Sequence, residues 1–277
     1  MDDIDGGLLV SRVHDFFGTI DAASLAKGST MPANLSRGAL VYGEVTTPGR
    51  LFEALRLCTQ DTFVDLGSGR GQIVMAAAFH AAAPRASVGI ELMPARHACA
   101  AAALGRCREE ACRRATFVCG DALQQDIQQA TKVFLCNAAF EPSLNHQFAT
   151  ALQFSRAPRL ERLATLAPLD EASLAVAGLQ LTEVSAVGGT WCQAGTPLYV
   201  YVRPGGCSHS GEEGVSADKA ALMTMMSERR QDAIRAKATG LSSDLEMERG
   251  LLRTALLNAT VAQALQHGSG SSSVQCE

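Results

Sequence analysis

Between residues 62 and 136 short apolar runs alternate with longer stretches in which Ala, Leu and Met recur at helical spacing. Thr62–Leu66 reads as a buried strand, Gln72–Ala83 as an Ala-rich helix and Ala86–Ile90 as a second strand. Pro94–Cys112 follows as a helix that starts on proline, then Thr116–Cys119 and Lys132–Cys136 as strands, with a further helix near Ser143–Leu152. Strands separated by helices imply βαβ units and a mainly parallel sheet. Upstream, Gly49–Leu55 spaces Leu and Phe as a helix does, and residues 1–40 suggest a helix and an irregular entry segment. Downstream, Leu160–Leu166, Leu179–Val187 and Pro197–Val202 are β-like. The last two flank Gly188-Gly189-Thr190-Trp191, so they predict a closing hairpin that sets an antiparallel strand beside the parallel ones.

This pattern divides the chain into three parts. Residues 1–60 form an N-terminal helical or lid segment, and residues 61–203 an α/β core. Residues 204–277 form a linker, a helical appendage interrupted by Gly240 and Gly250, and a Gly/Ser tail. There is no internal repeat.

The core's chemistry begins at Val64-Asp65-Leu66-Gly67-Ser68-Gly69-Arg70-Gly71-Gln72. A strand ends near an acid, a glycine-rich turn follows, and a helix starts. Small residues let the backbone turn tightly and let a ligand approach the main chain. Asp65 would face a cation, which suits the amino group of a methionyl moiety and not a pyrophosphate. One strand later Glu91 stands about twenty positions on, where a carboxylate can accept both hydroxyls of a ribose. After the next strand Asp121 is placed to accept from an adenine amino group. Taken singly, a Gly-x-Gly is common and a strand-end acid can cap a helix. In this order they point to S-adenosylmethionine. A dinucleotide loop needs Gly where Gln72 stands. The fold expected is therefore a Rossmann-like class I methyltransferase: seven strands, mainly parallel, with a terminal antiparallel hairpin, a helical N-terminal portion and a helical C-terminal appendage.

Composition narrows the setting. A formal charge of −4 gives no general attraction to nucleic acid. Nine Cys occur without a Cys-x-x-Cys pair, so reduced thiols are expected, with neither a disulfide framework nor a zinc site. The start, Met1-Asp2-Asp3-Ile4-Asp5, lacks the form of a signal peptide, and the most apolar stretch, 73–84, is too short to span a bilayer. A soluble, intracellular protein is expected. Arg106, Arg108, Arg113 and Arg114 cluster near a helix end among Glu109 and Glu110, which reads first as a solvated face and second as a contact for phosphate or an acidic patch.

Val41-Tyr42-Gly43-Glu44, the Gly67–Gln72 loop and Cys136-Asn137-Ala138-Ala139-Phe140, in this order, resemble the disruptor-of-telomeric-silencing class of histone H3 lysine methyltransferases, which lack a SET domain. The likeness covers about residues 35–203. It implies that Tyr42, Asp65, Gly67, Gly69, Gln72, Glu91, Asp121 and Asn137 contact S-adenosylmethionine. It implies too that Asn137, Phe140, Trp191 and Tyr199 form the catalytic region, the three aromatics walling a narrow lysine channel. The resemblance further implies a nuclear enzyme acting on histone H3 within nucleosomes, with weak or indirect nucleic-acid contact; from the Cys spacing and the apolar runs, no metal and no membrane are expected. The chain departs from the family at Ala138, where Phe is usual, at Val45, where Thr is expected, and over 168–178, which is short and lacks an Arg. Two alternatives stay open: a chromatin-binding module that keeps the fold without activity, and a methyltransferase for another protein or a small molecule.

Overall fold

In the computed structural model the described residues are Val13, Phe17, 43–190 and 192–205, with the side chains of 192–194 excepted. Tyr42, Trp191, most of the expected N-terminal helical portion and the expected C-terminal appendage lie outside them. The chain divides into two units, Met1–Glu228 and Arg229–Glu277, and the second lies wholly outside the described residues.

Seven strands form one sheet: β1 (Thr62–Leu66), β2 (Ala86–Glu91), β3 (Ala115–Cys119), β4 (Lys132–Leu135), β5 (Arg162–Thr165), β6 (Gln180–Gly189) and β7 (Cys192–Val202). Their order is β3-β2-β1-β4-β5-β7-β6. β1 to β5 run parallel, whereas β7 is antiparallel to both β5 and β6. This is the Rossmann-like order with a terminal antiparallel hairpin that the sequence predicts. The chain starts in the middle, winds outward to β3, then returns to β4 on the other side of β1. That reversal leaves a crevice beyond the carboxyl ends of β1 and β4, the usual ligand position in an open α/β sheet.

Five α-helices are described: α1 (Pro48–Ala54), α2 (Gln72–Phe79), α3 (Pro94–Arg106), α4 (Pro142–Ala151) and α5 (Glu171–Ala177). Strand alternation sends successive side chains to opposite faces. Phe63, Phe134, Ala164 and Val200 pack toward α1 and α2. Val64, Val133, Leu163, Tyr199 and Tyr201 pack toward α4 and α5. β1, β4 and β5 are buried at every position, as strands covered on both faces must be. Val13 and Phe17, both helical, are buried in the α1–α2 layer.

Several boundaries differ from the sequence reading. α2 stops at Phe79, not Ala83: His80 turns to extended backbone at ψ 150°, and Pro84 disfavours helical backbone at the residue before it. α3 stops at Arg106. A 3-10 turn at Glu110–Arg114 follows, and a disulfide joins Cys107 to Cys112 across it, correcting the expectation of thiols for that pair. α5 was not foreseen. Asp170 caps it, its carboxylate accepting from the Ser173 N–H at 2.7 Å, and Gly178 ends it at φ 65°. β7 runs through Pro197; β5 pairs with β7 only over 199–202, so at Pro197 the strand has β6 alone beside it, where proline is tolerated.

Candidate active site

Asp65 near the end of β1, Glu91 at the end of β2 and Asp121 just after β3 line a single cavity at the carboxyl edge of the sheet. The floor is the loop between β1 and α2. Gly67 takes φ 84° and Gly71 φ 85°, a left-handed conformation that favours glycine. Gly71 is also needed for packing, since a Cβ there would lie 2.3 Å from the Phe117 ring on β3. Gly67 has open space around its Cβ direction and faces the cavity. The N–H groups of Gly67 and Ser68 both donate to the Ile90 carbonyl, at 2.9 and 3.0 Å, which ties the turn to β2.

Glu91 holds this loop in place. One carboxylate oxygen accepts from the Gly69 N–H at 2.7 Å and the other from the Met93 N–H at 2.8 Å. Each oxygen keeps a second lone pair for a ligand hydroxyl. Asp121 accepts from the Leu123 N–H at 2.9 Å with one oxygen. Asp65 differs from both. It is buried, and its Oδ1 has no hydrogen-bond partner among the described residues, nor has the Ser68 Oγ. Burial, and secondarily the charge of Glu91, push its carboxyl up to about 8. Burial likewise raises the Cys136 thiol to about 12, with Asp65 adding to the effect. A buried carboxyl with an unfilled oxygen on a cavity wall is a socket for a cation. Among the described residues no group of three or more His, Cys, Asp or Glu could hold a metal ion.

An apolar wall is made by Val45, Phe134, Cys136, Phe140, Leu144 and Phe148, with Phe134 beside Asp65 on the neighbouring strand β4. Phe140 stacks on Phe148, with ring centroids 5.7 Å apart and planes 19° from parallel. Leu144 and Phe148 sit one helical turn apart on α4, so one helix face supplies this wall.

The remaining wall comes from residues 43–45. Glu44 reaches the loop, its Oε1 accepting from the Nε and Nη2 of Arg70 at 2.8 and 2.5 Å. The same segment is stitched to the β6–β7 turn. The N–H of Thr46 donates to the Gly188 carbonyl, and that of Thr190 to the Glu44 carbonyl, both at 2.9 Å. Glu44 N–H donates to the Thr190 Oγ1 at 3.0 Å and Gly188 N–H to the Thr47 Oγ1 at 2.8 Å.

The residues expected at the site therefore separate. Asp65, Gly67, Gly69, Gln72, Glu91, Asp121 and Phe140 share the cavity. Asn137 and Tyr199 do not. All four hydrogen-bonding positions of the Asn137 amide are used within the protein. Its Oδ1 accepts from the N–H groups of Leu166 and Ala167, and its Nδ2 donates to the Asn145 Oδ1 and the Ala167 carbonyl. Tyr199 is buried in the core layer beneath α4 and α5. A motif fixes residue type and not the direction of the side chain, which the surrounding chain decides at both positions. Arg70, Met93, Arg96 and Phe148 were missed. Arg70 could have been noticed as a charge placed between two glycines of a buried loop.

Residues 35–168 match the model of a family described as histone methylation protein DOT1. S-adenosylmethionine is the cofactor of that family. Among the curated proteins nothing matches the chain. Among solved structures, an RNA methyltransferase from Salinibacter ruber in complex with S-adenosyl-L-homocysteine is 24% identical, covers 60% of this chain and 95% of its own, and has a TM-score of 0.41. Magnesium protoporphyrin IX methyltransferase from Synechocystis PCC 6803, with its cofactor bound, is 15% identical over 70% of this chain and 97% of its own, with a TM-score of 0.47.

Proposed function

We propose that this chain, of DOT1 histone-methylation type over residues 35–168, transfers methyl groups from S-adenosylmethionine to a lysine on the globular surface of histone H3 within nucleosomes, in the nucleus. The observation that carries the reading is the shared cavity of Asp65, Glu91 and Asp121, in which the buried Asp65 offers an unfilled acceptor. S-adenosylmethionine supplies an electrophilic methyl group on a sulfonium. Asp65 pairs with the methionyl ammonium, Glu91 accepts from the ribose hydroxyls with its spare lone pairs, and Asp121 accepts from the adenine amino group. Gly67 leaves room for the ligand against the backbone.

The apolar wall of Val45, Phe140 and Phe148 then takes the acceptor. A free lysine amine titrates near 10.4, so on the order of one in two thousand is neutral at pH 7. Removal from water favours the neutral, nucleophilic form. Phe140 can face a methylated nitrogen, a cation–π contact of about 0.5–2 kcal/mol. Alignment of amine and methyl group is the main catalytic demand here.

The test is transfer of labelled methyl to intact nucleosomes, free histones and a pool of small metabolites, with mass spectrometry of histone H3. Label on an H3 lysine in nucleosomes is expected. Label confined to metabolites would replace the histone assignment with a small-molecule one.

A further inference from the structure

Arg70 is the one charged residue in the loop, yet its side chain is buried and bonds to Glu44. It stands between Gly69, at φ 56°, and Gly71, at φ 85°. The backbone turn is made by those glycines and does not need a guanidinium. What the side chain does is join separate segments. Its Nε and Nη2 both donate to Glu44, and its guanidinium carbon lies 5.7 Å from the centre of the Phe17 ring. Glu44 in turn is held through both its backbone polar groups by Thr190. The loop under the cavity, the 43–47 segment, the Phe17 ring and the β6–β7 turn are thus linked through one ion pair.

We propose that Arg70 is a positioning residue that couples binding of S-adenosylmethionine to the seating of the 43–47 segment over the cavity. Gly69 carries the connection, because its N–H binds the same Glu91 that faces the ligand. A cofactor that fixes Glu91 and Gly69 fixes the base of Arg70. Through Glu44 it then holds the seam to Thr190, and by reciprocity the seam favours the bound cofactor. A buried ion pair costs desolvation that an apolar pair would not, which fits a role in specifying an arrangement.

The inference rests on the cofactor reading of the cavity, and the unaltered full chain checks that reading separately. Calorimetric affinities for S-adenosylmethionine would be measured at 15 °C for the unaltered chain, Arg70→Met, Arg70→Lys, Glu44→Gln and the Arg70→Met/Glu44→Gln pair. Amide exchange of Thr46 and Thr190 would be followed with and without cofactor. Each single variant, Arg70→Met and Glu44→Gln, should raise Kd about tenfold, within the range of coupled sites. The double variant should be no worse than either, and Arg70→Lys should recover part of the loss. Cofactor should slow exchange at Thr46 and Thr190 in the unaltered chain and not in Arg70→Met. Glu44→Gln alters a partly exposed side chain, so it remains informative if Arg70→Met does not fold. Kd within twofold for Glu44→Gln, losses that multiply in the double variant, or slowing that survives without Arg70 would each overturn the coupling. An unaltered chain that does not bind S-adenosylmethionine would overturn the cofactor reading and this inference with it.

Discussion

The Nδ2 of Asn137 donates to the Oδ1 of Asn145, eight residues further on in α4, at 2.9 Å. With its other three bonds to Leu166 and Ala167, Asn137 binds the end of β4 to the loop after β5 and to α4. Asn137→Ala would leave two buried N–H groups and one buried side-chain oxygen without their partner, each costing about 1–3 kcal/mol. A loss of about 3 kcal/mol or more in urea unfolding is expected. Asn137→Asp keeps both acceptor bonds and loses both donor bonds, so it too should be destabilised. Unchanged stability with lost turnover would make Asn137 part of the chemistry after all.

Asp65 sets a pH dependence. Its carboxyl is pushed up to about 8 in the fold by burial and then by Glu91, against about 3.9 in an unfolded chain. The folded state therefore binds more protons between those values, and the ligand-free protein loses stability as pH rises from about 4 to about 8. A bound cation reverses the preference, because it pairs with the carboxylate. Cofactor binding should release a proton below about pH 8, with Kd improving by up to about tenfold from pH 6 to pH 7. Calorimetry in buffers of different ionisation enthalpy reads the proton directly. Asp65→Asn should bind weakly at every pH, and an Asp65→Asn variant with the same pH slope would assign the proton to another group.

The two glycines at the ends of the turn should fail differently. Gly71→Ala would put a Cβ 2.3 Å from the Phe117 ring at φ 85°, so strain and overpacking of about 2–4 kcal/mol should lower its melting temperature. Gly67→Arg meets the same left-handed strain at φ 84°, about 1–3 kcal/mol, but sends its side chain into open cavity space and not into a ring. Its melting temperature should therefore fall less than that of Gly71→Ala, while it binds no S-adenosylmethionine and transfers no methyl. Thermal melts alongside cofactor titrations separate the two. A Gly67→Arg protein with undiminished transfer would remove the cofactor from this cavity.

Phe140 and Phe148 form a stacked aromatic pair in the cavity lining. Phe140→Ala removes that stack, worth about 0.5–1.5 kcal/mol, and with it the face offered to the amine. We expect kcat on nucleosomes to fall about tenfold, equivalent to about 1.4 kcal/mol, while the Kd for S-adenosylmethionine stays within threefold. The opposite split, with weakened cofactor binding and unchanged kcat, would place Phe140 against the cofactor.

Strand positions and the acids could be read from the sequence because both are local signals. Thr62–Leu66 is a short run carried by Phe63, Val64 and Leu66 that ends at a glycine turn, and the structure gives the same five residues. The three acids stand at or next to strand ends, where the parallel connection brings them to one edge. Tyr199 shows what periodicity could have added. It shares a strand face with Tyr201, so alternation already aimed both into the core. α5 carried its own punctuation, Asp170 before and Gly178 after, around a run too short to show a helical stripe. The pairing of Val45 with Gly189 had no such signal, because nothing in either segment specifies a partner so far along the chain.

That pairing also dictates the order in which the protein can be finished. Residues 44–47 leave the ribosome early, but the turn that anchors them lies 146 residues later. A nascent chain that has completed β1 to β5 owns all three acids and still has an open-sided pocket. The pocket gains its last wall only when the final hairpin has emerged and folded back, a distant contact of the sort that slows folding.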